Sequence, residues 1–316
     1  MAKIVTNPKV WLISVWWCTK LRDCMLTDTL NQAFGFFYQF ADAFAFLVLS
    51  GLGLAVIFGM MGVINLAHGE LIMFGAYVTV LSARAGMPLP LAMVLGTLAA
   101  AVAGFILERL VVRRLYNRLF DSIVATWAVS TIATQGMLMF AGPSLEGLKT
   151  PFGSFQLGAL SFSTYRALLP LVALFLLLGV YLLLMHTRFG IRARATIANP
   201  DMARALGVNT SQVYSMTFAL GAGLAGLTGA LYAPTMTSVP TMGQAFIVQS
   251  FVTVVVGGSD VLVGVAPAAA ALGLIQAGLT ASSGQLIGQI GLLVAVIIVV
   301  RVLPNGISGW LLRRGG

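Results

Sequence analysis

Charged residues are scarce in this chain of 316 residues: only 9% are Asp, Glu, Lys or Arg, whereas 59% are hydrophobic. A soluble domain carries about 25% charged residues. The scarcity therefore excludes an ordinary soluble domain and predicts an all-α polytopic membrane protein. The net charge of +9 comes from basic residues in short loops between apolar segments. That pattern is typical of cytoplasmic loops, and it gives no indication of nucleic-acid binding.

Cysteine and histidine are also scarce, and their spacing does not suit metal or disulfide chemistry. Cys18 and Cys24 are too few for a disulfide framework and have no histidine pattern that would make a zinc site. The sequence His68-Gly69-Glu70 lacks the HExxH spacing, and no Ser or Cys nucleophile motif accompanies it. We therefore expect no catalytic residue, no metal and no cofactor, and the chain is not predicted to be an enzyme.

Long apolar runs are what the sequence has in abundance. Each is close to the ~20 residues that a helix needs to span a bilayer, although 265–281 is short for it. The loops 109–118 and 188–204 carry four arginines each, and Arg301 follows the last apolar run. If successive runs cross the membrane in alternating directions, all three basic regions lie on the same side of the membrane. The pattern predicts about nine transmembrane or part-spanning helices, with the N-terminus outside and the C-terminus cytoplasmic. The nine segments are 42–63, 66–84, 88–108, 122–141, 167–186, 211–232, 245–263, 265–281 and 286–303.

The two ends of the chain differ from this membrane region. The apolar run Val10–Cys18 is too short to span a bilayer, and its tryptophans favour the membrane interface. We interpret residues 1–40 as an interfacial N-terminal extension, 41–310 as a single transmembrane domain, and 311–316 as a C-terminal tail.

A polar, basic island at 188–210 separates two of the apolar segments and contains a miniature helix. Asn199 is a good N-cap and is followed by Pro200, which suits the first helical position. Gly207 suits the left-handed residue that closes a helix.

A helix this short is marginal alone in water, so it must pack on something. Met202 and Leu206, four residues apart, supply an apolar edge, and Arg204 lies between them. The helix either rests on its own protein or docks on a cytoplasmic partner, and the residues themselves leave both interpretations open.

Polar groups interrupt the apolar pattern between the first two segments. Asn65, His68 and Glu70 lie where Gly62 and Gly69 permit a break in the helix. Ionisable groups inside membrane segments are costly and are usually paired or functional. They form either a polar hinge that caps the broken helix ends or part of a solute path.

Two further polar regions are candidates for a solute path. Trp127 and Thr131 lie on one predicted helix face, together with Thr134 and Gln135. Gln244 and Gln249 follow a break that contains Pro234 and Pro240. Packing and hydrogen bonds between helices explain each of these residues equally well.

The stretch GVINLAHGE at 62–70, followed by MFGAY at 73–77, resembles the LivH-type permease family. That family comprises the membrane subunits of ABC importers for branched-chain amino acids, with related urea and short-amide importers. Two further segments are similar to the same family: the basic island with the span at 211–231, and Val256-Gly257-Gly258. The resemblance therefore runs from about residue 40 to residue 310.

The resemblance implies a permease domain whose helix at 199–206 couples to an ATPase subunit. It also implies several partners in the inner membrane: a second permease subunit, cytoplasmic ATP-binding subunits, an external solute-binding protein and lipid. Ala125-Thr126-Trp127 and the stretch 243–251 look more like urea-type members, which favours urea or a short amide, with a branched-chain amino acid close behind. Gln249 and Asp260 depart from the urea-type pattern. The rival class is a stand-alone channel or secondary transporter, which would leave the coupling helix unexplained.

Overall fold

The structure, a computed structural model, describes residues 8–116, 118–157, 160–258, 261–303 and 306–309. Side chains are not described for 8–30, 119, 157, 160, 261 and 262. The expected tail at 311–316 and the departure at Asp260 lie outside the described residues.

Most of the described chain is helical, because a backbone in hydrocarbon must satisfy its hydrogen bonds within its own segment. A short 3-10 helix, Val112–Leu115, lies between α3 and α4. In chain order the other elements are α1 (Pro8–Met61), α2 (His68–Arg84), α3 (Leu89–Leu110), α4 (Leu119–Ala141), β1 (Ser154–Leu157), β2 (Leu160–Ser163), α5 (Thr164–His186), α6 (Arg188–Ala198), α7 (Pro200–Ala205), α8 (Thr210–Tyr232), α9 (Met242–Gly257), α10 (Val261–Ser283) and α11 (Gln285–Val302).

Within the described residues, seven helices are long and apolar enough to cross a membrane, which makes this a multi-pass membrane protein. The predicted segments 66–84 and 245–263 correspond to α2 and α9, which are shorter, with 17 and 16 residues. The expectation of nine therefore corresponds to seven candidate spans and two shorter helices. The seven are Asn31–Met61, Leu89–Leu110, Phe120–Ala141, Thr164–His186, Thr210–Tyr232, Val263–Ser283 and Gln285–Gly309.

The centre of the bundle is α8, which packs on α1, α2 and α3. Small residues along α8 allow this close approach, as the small-xxx-small spacing in its sequence indicates. A Cβ on Gly75 of α2 would overlap the backbone of Gly226 in α8, and a Cβ on Gly53 of α1 would overlap the backbone of Gly221. The contacts are backbone to backbone, so these helices cannot slide past each other without separating.

The expectation of an all-α protein holds apart from one short hairpin in the segment between α4 and α5. Strands β1 and β2 form a two-stranded antiparallel hairpin, in which Phe155 pairs with Phe162. The rings of both residues contact Phe34 of α1, with centroids 6.1 and 5.2 Å apart. The hairpin thus covers the part of α1 that precedes the apolar core.

Helix α1 is continuous from Pro8 to Met61, a length of 54 residues. Such a helix is about 80 Å long, far more than the ~30 Å of the hydrocarbon core. From Pro8 onward, the predicted extension is therefore helical and continuous with the first span. Its position at the membrane interface stays a prediction.

Candidate transport and coupling sites

The chain breaks between α1 and α2, as the sequence predicts. Helix α1 ends at Met61, Gly62 takes a positive φ of 63°, and residues 62–67 are not helical. The buried Asn65 side chain accepts a hydrogen bond from the Ala67 backbone N–H at 3.0 Å. The break is thus stabilised by a polar side chain that satisfies the backbone within it.

His68, fully buried at the start of α2, contacts the first span. Its Nε2 lies 3.3 Å from the Ser50 carbonyl oxygen, which also accepts a hydrogen bond from the Ser250 hydroxyl of α9 at 2.8 Å. A carbonyl can only accept, so Nε2 carries the proton in this contact. One carbonyl in α1 therefore connects the start of α2 with the middle of α9.

Glu70, 5% exposed, turns from α2 towards α4. Its Oε1 accepts a hydrogen bond from the Ser130 hydroxyl at 3.0 Å, and the Thr134 hydroxyl is a second neighbour. In the part of the chain that the structure describes, no Lys or Arg forms a salt bridge with it. The carboxylate is thus held by hydroxyl groups alone.

The face of α4 that meets the break carries hydroxyl groups four residues apart. The Leu66 N–H donates to Thr126 Oγ1 at 3.1 Å, and one turn further along Ser130 meets Glu70. Sequence reasoning missed this inner face, although the spacing of four was a signal that could have found it. The face comprises Ser122, Thr126, Ser130 and Thr134.

Of the predicted polar face of α4, Thr134 therefore points inward, whereas Trp127 (63% exposed), Thr131 and Gln135 point away from the chain. In α9, Gln244 is exposed and Gln249 is half-buried, with its Oε1 lacking a hydrogen-bond partner among the described residues. Among the described residues, no hydrogen bond or ring contact joins Trp127 or Thr131 to either glutamine. A cavity shared by these residues stays a prediction.

The basic island folds into two helices rather than one, because α6 (Arg188–Ala198) precedes the predicted miniature helix α7. Thr187 caps α6 by accepting from the Gly190 N–H at 3.1 Å. Sequence reasoning missed α6, although Thr187 is an ordinary capping residue.

Helix α7 has the predicted cap at each end. The Asn199 side-chain oxygen accepts hydrogen bonds from the N–H groups of Asp201 and Met202 at 3.1 and 3.0 Å. Gly207 has a positive φ of 83°, and the Val208 N–H returns to the Ala203 carbonyl at 3.0 Å. These contacts fix the orientation of a six-residue helix that would be marginal alone.

The outward side of α7 carries the apolar edge. Ala203 is buried against the protein, whereas Met202 is 59% and Leu206 is 78% exposed. Arg204 pairs with Asp201 at 2.5 Å on the same exposed surface. The helix thus rests on its own chain through one small residue and presents its larger apolar side chains outward.

Two cavities border α7 and the turn that follows it. One, of about 290 Å³, is lined by Pro200 and Arg204 of α7 and by residues of the 109–118 loop and α8. The other, of about 470 Å³, is lined by Arg192 of α6, Leu206 and the start of α8. The two basic loops therefore meet at one end of the bundle, as the charge pattern predicts.

Comparisons with known proteins agree with this architecture. A family model described as "Branched-chain amino acid transport system / permease component" matches residues 37–303. The high-affinity branched-chain amino acid transport system permease protein LivH of Salmonella typhimurium is 27% identical over 83% of this chain and 90% of its own length. The corresponding protein BraD of Pseudomonas aeruginosa is 26% identical over 83% of this chain and 91% of its own length. No solved structure matches.

Proposed function

We propose the function from one premise: the chain belongs to the family of branched-chain amino acid transport system permease components, whose model matches residues 37–303. In this proposal the chain is the membrane-spanning subunit of an ABC importer in the inner membrane. It acts with a second permease subunit, cytoplasmic ATP-binding subunits and an external solute-binding protein. ATP hydrolysis in the partner drives transport, and this chain has no catalytic role.

The observation that carries the proposal is the exposed apolar edge of α7, formed by Met202 and Leu206. Both ends of α7 are capped, so the edge has a fixed direction although few contacts hold the helix to its own chain. Burial of a Met or Leu side chain contributes roughly 1.5–3 kcal/mol. An ATPase surface that covers both side chains would therefore supply much of the binding free energy of this contact.

We place the solute path along the seam between α4 and the break at 62–70. The glycines of α1, α2, α3 and α8 bring these helices backbone to backbone at the centre of the bundle, so we look for the path at its side. The seam is lined by hydroxyl groups, Asn65 and Glu70, and His68 lies beside it. Trp127 and Thr131, on the outward side of α4, would then face the second permease subunit, together with Gln244 and Gln249 of α9.

The first candidate solute is a branched-chain amino acid. The relatives named above transport such amino acids according to their names, and they match most of this chain. The urea or short amide favoured by the sequence motifs finds no support among them and becomes the second candidate. Competition of each solute against uptake of labelled leucine and labelled urea decides between the two.

The test of the function is the double substitution Met202→Ser with Leu206→Ser. It removes both apolar side chains of the edge and should weaken binding of the ATPase by about two to four powers of ten. The spans, which do not involve this loop, should still insert and fold. The measurements are co-purification of the ATPase and ATP-dependent uptake in vesicles.

The matched control is Met87→Ser with Phe152→Ser, which removes two exposed apolar side chains at the other end of the bundle. This control should leave co-purification unchanged. Normal co-purification and normal uptake by the α7 variant would disprove the docking role. Uptake by this chain alone, with neither ATPase nor second permease present, would instead establish the stand-alone channel or secondary transporter.

A further inference from the structure

A fully buried carboxylate lies at the end of α3, beside the docking helix. Glu108 is 0% exposed and accepts hydrogen bonds from the hydroxyl groups of Tyr116 and Ser215, the latter at 2.6 Å. The Arg113 Nε lies 3.7 Å from its Oε1. A buried charge is tolerated only when it is paired and hydrogen-bonded, and here the partners come from two different elements, the 109–118 loop and α8.

Arg113 extends the same contacts along α8. Its Nη2 donates to the Ser211 hydroxyl and lies 3.4 Å from the Ser215 hydroxyl. The rings of Tyr116 and Tyr214 lie 5.2 Å apart. Burial raises the pKa of the Tyr116 hydroxyl, and its hydrogen bond to Glu108 raises it further, so this hydroxyl remains a donor at physiological pH.

The same residues face the docking helix. The cavity of about 290 Å³ is lined by Arg113, Tyr116 and Ser211 on one side and by Pro200 and Arg204 of α7 on the other. From α7 the chain passes through Gly207 directly into the first turn of α8. Any displacement of α7 therefore acts first on the turns of α8 to which the 109–118 loop is bound.

The other end of the 109–118 loop leads into α4. The Ser122 N–H in the first turn of α4 donates to the Arg118 carbonyl at 3.0 Å. Helix α4 packs chiefly on the 3-10 helix of this loop and on α2. Its inner face then meets Leu66 and Glu70 at the break. The contacts thus run without interruption from α7 to the proposed solute path.

We propose that Glu108 is a positioning residue for transport: it holds the 109–118 loop on α8, so that a displacement of α7 by the ATPase moves α4. This proposal rests on the proposed function, because it requires α7 to dock on an ATPase. Glu108 itself touches neither ATP nor solute. Substitution of Glu108 should therefore lower uptake, while ATP hydrolysis and assembly with the ATPase continue.

The experiment is Glu108→Gln in the complete transporter, with three measurements: the amount of ATPase that co-purifies, the rate of ATP hydrolysis, and uptake in vesicles. Glutamine has almost the same shape as glutamate, but it lacks the negative charge with which Arg113 pairs. Its amide N–H groups also replace one of the carboxylate oxygens that accept hydrogen bonds from the Tyr116 and Ser215 hydroxyl groups. Normal co-purification, continued hydrolysis and about a tenfold fall in uptake per ATP are expected.

Two further variants make the result interpretable if Glu108→Gln reaches the membrane poorly. Ser215→Ala removes one donor to Glu108 and keeps the charge pair, so uptake per ATP should fall about threefold. Asp121→Asn is the matched control, since its pair with Arg118 in the same loop is solvent-exposed and should contribute little.

Unchanged uptake per ATP in both Glu108→Gln and Ser215→Ala would overturn the proposal. A loss of uptake that follows the amount of bound ATPase would also overturn it, because Glu108 would then act in docking or folding. If the proposed function itself is wrong, the Met202→Ser, Leu206→Ser variant will keep its bound ATPase. That outcome is distinguishable from the two results for Glu108 given above.

Discussion

Gly69 in the first turn of α2 packs directly on Gly243 in the first turn of α9, and a Cβ on Gly69 would overlap the backbone of Gly243. Each of these helices follows a non-helical segment, at 62–67 and 233–241. The two breaks, distant in sequence, therefore meet at one point inside the bundle. Irregular backbone at membrane depth is tolerated only where it is buried in protein or lines a cavity.

We predict that Gly69→Ala destabilises the fold by about 1–3 kcal/mol, towards the upper end of this range, because a rigid backbone rather than a flexible side chain occupies the space. The measurement is thermal unfolding of the purified permease in detergent. Gly136→Ala in α4 is the matched control, since nothing lies within 4 Å of a Cβ there. Equal unfolding temperatures for the two variants would contradict the close contact.

Glu70→Ala is expected to impair folding or transport. The carboxylate organises Ser130 and Thr134 on the inner face of α4, and the alanine leaves these hydroxyl groups without their acceptor. The measurements are the yield of folded permease and uptake in vesicles. Glu146→Ala removes an exposed carboxylate in the loop after α4 and should affect neither. If the Glu70 variant is also normal in both, the seam is not part of the transport machinery.

Trp127→Ala and Gln249→Ala should each lower uptake without lowering the amount of permease in the membrane. Trp127 is exposed on this chain, so it contributes little to the fold and is available to a solute or a second subunit. Val124→Ala, on the exposed side of the same helix, is the control for a simple loss of apolar surface. Unchanged uptake in both test variants would show that Trp127 and Gln249 neither line the solute path nor contact the second subunit in a way that transport requires.

The features that the sequence predicted correctly depend on neighbouring residues. Asn199, Pro200 and Gly207 determine the caps of α7, because each acts on backbone within a few positions. Gly62 and Asn65 determine the break in the same local way.

The features that the sequence did not predict depend on distant partners. Nothing near Glu108 in sequence indicates that Ser215 will bond to it, and the inward face of α4 is decided by packing on α2. The hairpin β1–β2 likewise needs Phe34 of α1 to cover its phenylalanines. Such contacts follow from the tertiary arrangement, which apolar periodicity does not specify.

The orientation in the membrane is a separate prediction. We expect Arg113 and Arg192 on the cytoplasmic face and Lys149 outside, because Lys/Arg-rich short loops remain in the cytoplasm. Single cysteines at these positions, in a chain with Cys18 and Cys24 replaced, can be labelled from intact cells with an impermeant thiol reagent. Only the cysteine at position 149 should react. Modification at position 192 would show that the orientation is wrong.

The order of α7 itself can be tested without changing its apolar edge. Asn199→Ala removes the acceptor for two backbone N–H groups and should cost about 1 kcal/mol of helix stability. Gly207→Val places a β-branched residue at a φ of 83°, which strains the closing turn. Because α7 has only six residues, either change should disorder it and reduce co-purification of the ATPase.

Asn209→Ala is the matched control for the cap of α7. Asn209 caps α8 in the same way, accepting from the Gln212 N–H at 3.1 Å, but α8 has 23 residues and is packed along most of its length. The same loss of a cap should therefore leave α8 folded and the ATPase bound. A fall in co-purification with Asn199→Ala but not with Asn209→Ala would establish that the fixed direction of Met202 and Leu206 is what the ATPase recognises. An equal fall with both substitutions would contradict this, because binding of the ATPase would then not depend on the cap of α7 in particular.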